Sequence, residues 1–206
     1  MKRNLAIFIL LVSSYAAAQS GSDVLRKVQN KFKSIDDFTA NFVQTFGNTN
    51  DSKSGSMTGK FYYKRKNKFI VELSNQTITC DGKVIWNYDG RFKRVVISNV
   101  SDDPMSFSLE KFIFDYPPHC AVSVVKDKPV AQGEKVIELV PNDQSMQFKS
   151  AYIWVNRTGL ISKMEIVDRG DINYTFQFSE FKLDQKLPDS KFIYYPPKGI
   201  KVIDLR

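Results

Sequence analysis

The fold of this chain is decided by Thr58–Ile97, which spells TGKFYYKRKNKFIVELSNQTITCDGKVIWNYDGRFKRVVI. Short aromatic and β-branched runs alternate in it with tight-turn signals such as Asp81-Gly82 and Asp89-Gly90. Aspartate–glycine between such runs is a strong hairpin signal, because a two-residue type I′ turn needs positive φ at both central positions. The stretch therefore predicts a curved, apolar antiparallel sheet. Since it holds no catalytic-looking group of side chains, we expect a binding cavity rather than an active site.

The segments on either side extend this sheet and add helices. Ser22-Asp23, followed by apolar residues at helical spacing up to Phe32, predicts an amphipathic helix of about ten residues that ends near Ser34. Phe38–Phe46 follows as the first long strand. Five further strands are predicted in the second half, at Ala121–Val125, Lys135–Val140, Phe148–Val155, Leu160–Val167 and Ile172–Phe178. Many strands with few helices predict a mainly β, α+β architecture, an antiparallel barrel-like sheet with helices packed on it.

A second helix is predicted between Pro104 and Tyr116, because Met105, Leu109 and Phe112 share one helical face. Pro117-Pro118 stops it. Polar or proline-rich breaks flank the helix on both sides, so it can lie over the sheet as a separate piece. Ordinary core packing and a mobile cover remain equally open as its role.

The N-terminus has the three parts of a secretory signal: Lys2 and Arg3, the apolar run Leu5–Val12, and Ala16–Ala18 as the cleavage site. The apolar run is far shorter than the roughly 20 residues that span a bilayer. We therefore expect residues 1–18 to be cleaved after Ala18 and residues 19–206 to form one domain in the periplasm. No cysteine stands near the cleavage site to receive a lipid anchor.

The formal charge of +8 comes from scattered basic residues with local clusters at Lys64–Lys68 and Arg91–Arg94. Both clusters lie beside predicted turns, where solvated hairpin ends are the simpler explanation. A basic rim also suits an anionic membrane surface or an acidic partner. Nucleic acid is a poor fit, because the chain is exported and has no stripe of basic and aromatic residues on one element.

Catalytic and metal chemistry is not indicated by the residue inventory. His119 is the single histidine and lies in a Pro-Pro-His-Cys turn without nearby acids, and no Gly-x-Ser-x-Gly elbow occurs. We therefore expect no enzyme, no metal site and no cofactor. Cys80 and Cys120 form an even pair in an oxidising compartment, so a single disulfide and two buried free thiols are both open.

Four ordered segments resemble the periplasmic outer-membrane lipoprotein carrier (LolA) proteins of Gram-negative bacteria. Phe38–Gln44 is similar to the family's F-x-A-x-F-x-Q, Gly59–Asn67 to G-x-(aromatic strand)-K-R-P-N, Cys80–Tyr88 to S-D-G-K-x-L-W-x-Y, and Phe192–Asp204 to F-x-x-P-P-x-G-V-x-V-x-D. The resemblance implies an unclosed antiparallel β-barrel of about eleven strands, with an N-terminal helix and a helical lid over a hydrophobic cavity that receives lipoprotein acyl chains.

The resemblance also implies a site and partners. Arg65 matches the arginine that latches the lid, although Lys66 replaces the usual proline beside it. We expect the cavity to be lined by Phe61, Tyr63, Phe69, Val71, Val84 and Trp86 from the sheet and by Leu109 and Phe112 from the lid. The expected partners are acylated lipoproteins, an inner-membrane lipoprotein exporter, and an outer-membrane acceptor or the outer membrane itself, with the carrier acting as a monomer.

Two rival hypotheses stay open. One is a sensor, or a carrier of another lipid or glycolipid, on the same fold. The other is a small-lipid hydrolase that uses His119.

Overall fold

We describe a computed structural model of the chain, which covers residues 20–48, 55–100 and 108–206. Its longer elements are α1 (Gly21–Ser34), β1 (Asp37–Asn48), β2 (Gly55–Lys64), β3 (Lys68–Leu73), β4 (Gln76–Asp81), β5 (Val84–Asp89), β6 (Arg94–Asn99), β7 (Cys120–Val125), β8 (Lys135–Pro141), β9 (Phe148–Val155), β10 (Ile161–Asp168), β11 (Ile172–Leu183) and β12 (Lys201–Asp204). Short helical turns are a π-helix at Lys111–Asp115 and 3₁₀ turns at Pro117–His119 and Asp189–Phe192. The predicted signal segment, residues 1–18, lies outside the described residues.

Helix α1 begins with a capping box at Ser20, two residues before Ser22-Asp23, where the sequence predicts the start of the helix. The Ser20 hydroxyl accepts from the Asp23 amide at 3.2 Å, and the Asp23 carboxylate accepts from the Ser20 amide at 3.3 Å. The Ser20 hydroxyl also donates to the Asp23 carboxylate at 2.9 Å, and this bond, followed by the one from the Ser20 amide, lowers the pKa of Asp23. The apolar stripe of the helix, Val24, Leu25, Val28 and Phe32, is buried as its spacing predicts.

The described strands form one unclosed sheet in the order β12-β6-β5-β4-β3-β2-β1-β11-β10-β9-β8-β7. The predicted unclosed, mainly β architecture is therefore confirmed, with twelve described strands rather than about eleven. Neighbours pair antiparallel except β12, which runs parallel to β6. The exception arises because the chain returns across the sheet after β11, through Asp189–Phe192, and enters the edge beside the start of β6.

Both faces of β3–β6 are covered, but by different parts of the chain. The inner face holds the main core, in which phenylalanines of β1, β2 and β11 pack together: the ring centroids of Phe42 and Phe61 are 6.0 Å apart and those of Phe61 and Phe178 5.3 Å. On the outer face of β3–β6, Ile70, Val95 and the fully buried Phe192 form a second, smaller core. Because apolar side chains are buried on both faces here, a predicted cavity residue can lie on either face.

The predicted hairpin at Asp81-Gly82 is confirmed, but its turn is centred one residue later, on Gly82-Lys83. Of these two central residues only Gly82 has positive φ, at 99°, so the turn is not the type I′ form. The Asp81 carboxylate closes the turn by accepting from the Lys83 and Val84 amides, both at 2.8 Å. This shift sets the register of β5.

The second predicted helix is described only from Ser108 onward, and its first part, with Met105, lies outside the described residues. The described part is α-helical at Leu109-Glu110 and then widens into the π-helix Lys111–Asp115, in which the Tyr116 amide donates to the Lys111 carbonyl at 2.8 Å. We call residues 108–116 the lid segment. It ends at Pro117-Pro118 as predicted, since proline cannot continue the helix.

Candidate functional site

A cavity of about 400 Å³ lies between the inner face of the sheet and the lid segment. Its walls come from β1, β3–β5, β9–β11 and the lid segment, so the sheet curves around it. The lining residues are Phe42, Gln44, Phe69, Val71, Ile78, Ile85, Asn87, Phe112, Tyr116, Gln147, Phe148, Ile166, Asp168, Arg169, Gly170, Tyr174 and Phe176. Apolar and aromatic side chains predominate, with polar groups near one end, which is the usual composition of a pocket for an apolar ligand.

Three of the predicted cavity residues, Phe69, Val71 and Phe112, line this cavity. Phe61 and Tyr63 lie on the same face one strand away, since they pair with Val71 and Phe69 respectively, and both are buried in the main core. The structure therefore brings the residues of β2 and β3 together on the predicted face, although those of β2 form the floor of the core rather than the cavity wall.

The prediction was wrong for Val84 and Trp86. Residues directly opposite each other in neighbouring strands share a face, and Cys80 on the inner face pairs with Ile85. Ile85 therefore points inward, and Trp86 pairs with Ile97 of the outer core instead. The physical reason is the two-residue turn at Gly82-Lys83, which pairs even-numbered residues of β4 with odd-numbered residues of β5, so that Ile85 shares the inner face with Cys80.

Of the two predicted lid residues, Phe112 lines the cavity, whereas Leu109 is buried in the main core and is not among the lining residues. Leu109 is 3% exposed and Phe112 6% exposed, and the fully buried Ile113 lies beside them. The Phe112 ring packs against Tyr116 at 5.0 Å and against Phe148 of β9 at 5.4 Å between centroids. The lid segment thus fills part of the cavity with its own apolar side chains.

One wall of the cavity was not predicted from the sequence: it is formed by β9, β10 and β11 and contains Phe148, Ile166, Tyr174 and Phe176. A period-two signal was present in β11, where Tyr174, Phe176 and Phe178 alternate with polar residues. That pattern marks the inner face of β11, but only the closing curvature of the sheet brings it opposite β3 and β5.

One end of the cavity is polar, and we call Gln44, Asn87, Gln147, Asp168 and Arg169 the polar rim. The Arg169 guanidinium donates to the Met146 carbonyl at 3.0 Å and to the Asp143 carbonyl at 3.1 Å, which fixes the chain before β9. The rim therefore consists of exposed and partly buried polar groups, in contrast to the apolar side chains that form most of the wall. This arrangement suits a ligand with an apolar tail and a polar head.

Polar side chains hold the lid segment against the sheet. The Tyr63 hydroxyl donates to the Glu110 carboxylate at 2.5 Å, and the Ser108 hydroxyl donates to the Asn67 side-chain oxygen at 2.6 Å. Burial, followed by the hydrogen bond to Glu110, raises the pKa of Tyr63 above its ordinary value, so its hydroxyl stays a donor at neutral pH.

Two further bonds reach the lid segment from other elements: Lys111 Nζ donates to the Val100 carbonyl and Gln29 Nε2 to the Ile113 carbonyl, both at 2.9 Å. The lid segment is thereby tied to β2, to the end of β6 and to helix α1.

Arg65 contacts helix α1 in the described part of the chain, and its latch role stays a prediction, because the first part of the predicted lid lies outside the described residues. The Arg65 guanidinium donates to the Lys33 carbonyl at 3.2 Å and to the Asp36 carboxylate, while its amide donates to the Asp36 carbonyl at 2.9 Å. Among the described residues, Arg65 thus caps the C-terminus of α1, whereas Tyr63 and Asn67 are among the residues that hydrogen-bond to the lid segment. Lys66, which stands in place of the motif's proline, has φ of 68°, a value that proline cannot adopt.

The two cysteines are free thiols, so the disulfide alternative is not what the structure contains. The Cys80 thiol donates to the Asn67 carbonyl at 3.3 Å, and burial raises its pKa to about 12. Cys120 lies at the start of β7 with its sulfur 3.8 Å from that of Met146. Each sulfur thus has a separate partner, and the two cysteines behave as small buried hydrophobic residues.

His119 is exposed on the 3₁₀ turn that follows the lid segment. Among residues 20–48, 55–100 and 108–206, no group of three His, Cys, Asp or Glu side chains is arranged to hold a metal ion. In the same part of the chain, no helix has the length and apolar character needed to cross a membrane.

The fold and the cavity define a class: an open β-sheet that curves around an apolar ligand cavity under a helical lid. The model of the outer membrane lipoprotein carrier protein LolA family matches residues 33–195, and the chain belongs to this family. The resemblance noted in the four sequence segments is therefore confirmed.

Individual relatives agree with the family match. Proteins named outer-membrane lipoprotein carrier protein from Methylibium petroleiphilum and Legionella pneumophila are each 26% identical, over 91% and 98% of this chain and 93% and 99% of theirs. A solved structure of an uncharacterized conserved protein from Thermus thermophilus is similar with a TM-score of 0.56 at 15% identity, covering 89% of this chain and 98% of that one. The structural likeness shows the fold alone.

Proposed function

We propose that this protein is a non-enzymatic, monomeric periplasmic carrier that shields the acyl chains of lipoproteins and moves them from an inner-membrane exporter to the outer membrane or an acceptor there. The observation that supports this most directly is the apolar cavity partly filled by Phe112 of the lid segment. Membership of the LolA family and relatives named as outer-membrane lipoprotein carriers support the cargo class.

The energetics require such a cavity. Burial of apolar groups is worth about 0.8 kcal/mol per CH₂, so a single C16 chain left in water costs on the order of 12 kcal/mol. A triacylated lipoprotein therefore does not diffuse freely between two membranes. A cavity that replaces water around the chains removes this cost.

The lid segment competes with the acyl chains for the apolar wall, which allows the cargo to be released. Its three buried apolar side chains, Leu109, Phe112 and Ile113, contribute roughly 1.5–3 kcal/mol each to the closed state. The cavity volume of about 400 Å³ is near the lower end of ligand pockets, so several acyl chains enter only if the lid moves out. Cargo and lid then compete for the same apolar wall, which gives two states that the cargo shifts.

Native mass spectrometry of the protein purified from the periplasm tests this proposal. We expect a co-purified acylated polypeptide on the wild type. The variant Ile78→Glu places a charge on the cavity wall and should lose the adduct, because a carboxylate disfavours the neighbouring acyl chain. Its matched control is Thr77→Glu, one residue earlier on β4 and facing outward, which should keep the adduct.

The mass of the adduct separates the proposals. An adduct with the mass of a glycolipid or a free lipid would favour the alternative carrier or sensor. Equal adduct on both variants, or none on the wild type, would contradict the cavity as the cargo site. Full rescue of a carrier-depleted strain by His119→Ala would exclude the hydrolase hypothesis.

A further inference from the structure

The loop between β5 and β6, Gly90–Lys93, presents an aromatic ring to solvent. Phe92 is 64% exposed, and its ring lies 5.7 Å from the guanidinium carbon of Arg91 and 5.0 Å from that of Arg94. Tyr195, which is 78% exposed, lies on the segment that leads into β12 beside this loop. Membrane-binding sites at the headgroup level of a bilayer commonly combine an exposed aromatic ring with neighbouring cations.

Positive charge surrounds this ring. Arg91, Lys93 and Arg94 are exposed, and Asp89, the acidic residue of the turn, is paired with Arg91 at 3.4 Å. The Lys201 amide donates to the Lys93 carbonyl at 2.9 Å, so the start of β12 adds Lys201 to the same place. The net charge of the cluster is positive, which complements an anionic surface.

The loop lies at the same end of the sheet as the polar rim of the cavity. Antiparallel pairing reverses direction at each step, so the ends of β1, β3, β5 and β10 and the starts of β2, β4, β9 and β11 share one end. Asp89 ends β5 there, while Gln147 precedes β9 and Asp168 ends β10. A flat surface that meets Phe92 at this end also faces the mouth of the cavity.

We propose that the β5–β6 loop docks the protein on an anionic phospholipid bilayer, with the Phe92 ring at the boundary of headgroups and acyl chains and the neighbouring cations on lipid phosphates. This inference rests on the proposed function, because docking at this end brings the cavity mouth to the membrane from which acyl chains leave or into which they pass. The loop is then the contact that shortens the path of an acyl chain through water.

Vesicle flotation of the full mature protein tests this docking. With vesicles of phosphatidylcholine containing phosphatidylglycerol, we expect the wild type to float at low salt and less at high salt, and not to float with phosphatidylcholine alone. Phe92→Ser should weaken binding by roughly tenfold, because it removes most of an aromatic side chain's transfer free energy. Lys93→Gln/Arg94→Gln should weaken it at least as much, since each cation near an anionic surface contributes about fivefold.

Matched controls lie at the opposite end of the strands. Val130→Ser removes an exposed apolar side chain that is 50% exposed, and Lys182→Gln/Lys186→Gln removes two exposed cations; both should bind like the wild type. Circular dichroism and thermal melting should show that the loop variants stay folded, because Phe92 makes little contact with the core.

The inference is overturned if the wild type ignores anionic vesicles, or if loop and control variants lose binding equally. It is also overturned if Phe92→Ser leaves vesicle binding intact but blocks transfer from a purified exporter, since the loop would then contact protein. A wild type that carries an acylated adduct but does not bind vesicles refutes docking alone, whereas vesicle binding without any adduct refutes the carrier function alone.

Discussion

Removing the Tyr63 hydroxyl should loosen the lid and make the protein less stable while it binds acyl ligands more tightly. Tyr63 is 2% exposed, and its hydroxyl donates to the Glu110 carboxylate of the lid segment at 2.5 Å. A hydrogen bond to a charged group contributes about 1.5–3 kcal/mol. Tyr63→Phe keeps the ring and deletes this bond, so we expect the closed state to lose about 2 kcal/mol.

Loss of this hydrogen bond should lower the stability of the protein and raise its affinity for acyl ligands by the same free energy. The free energy of unfolding should fall by about 2 kcal/mol, which lowers Tm by roughly 4–8 °C for a chain of this size. If acyl chains enter only the open state, the apparent Kd for a fluorescent fatty acid should fall by up to about 30-fold, because the competent fraction rises. Chemical denaturation and a fluorescence titration supply both numbers.

Tyr62→Phe is the matched control, since it makes the same chemical change on the next residue of β2 but on the outer face. The Tyr62 hydroxyl donates to Glu72 at 2.9 Å, away from the lid segment. It should cost some stability and leave the acyl affinity unchanged. Stability lost in Tyr63→Phe without any gain in affinity would refute the competition between lid and cargo.

The effect of Tyr63→Phe should not depend on pH near neutrality. The pKa of Tyr63 is raised in the folded state by burial and by Glu110. A raised pKa means that the contribution is fully present below the unfolded value of about 10 and is lost as pH rises above it. The difference between variant and wild type should therefore be equal at pH 7 and pH 9 and should shrink only in stronger alkali.

Three further outcomes are expected. Arg65→Leu should cost at most about 1 kcal/mol of unfolding free energy, because its ion pair with Asp36 is exposed, and should leave acyl affinity at the wild-type value; a changed affinity would support the latch role. Denatured protein without reductant should take up two alkylating groups, one on each cysteine, and native Cys80 should resist alkylation until pH approaches about 12; no uptake at all would indicate a disulfide. Gly59→Ala should destabilise by about 3 kcal/mol or more, since its Cβ would lie 1.8 Å from a β3 carbonyl oxygen, and an unchanged Tm would contradict that packing.

Much of the sheet was predictable because its signals are local. Phe148–Val155 was predicted with the bounds that the structure shows, and the turns at Asp81-Gly82 and Asp168–Asp171 join the strands expected. The apolar spacing of α1 and of Leu109 and Phe112 likewise predicted which side chains are buried. In each case the deciding interactions lie within a few residues along the chain, so the sequence contains them.

The candidate site was only partly predictable, because its walls depend on pairings between distant residues. Val84-Ile85-Trp86 is apolar throughout, so its composition does not reveal which side faces inward. The face is settled by the Cys80–Ile85 register and by Phe192, which covers the outer side from more than a hundred positions later in the chain. Likewise, no sequence signal links Tyr63 to Glu110.

The sequence by itself determined the family, the mainly β architecture, the approximate turn positions and the apolar character of the antiparallel sheet. Only the tertiary structure decided which face of β5 borders the cavity, that Arg65 caps α1, that Tyr63 and Asn67 hold the lid segment, and that both cysteines are free. The physical reason is that both faces of β3–β6 are covered. Hydrophobicity then predicts that a side chain is buried but not on which face of the sheet it lies. The face is set by the strand register and by elements that pack on the sheet from distant parts of the chain.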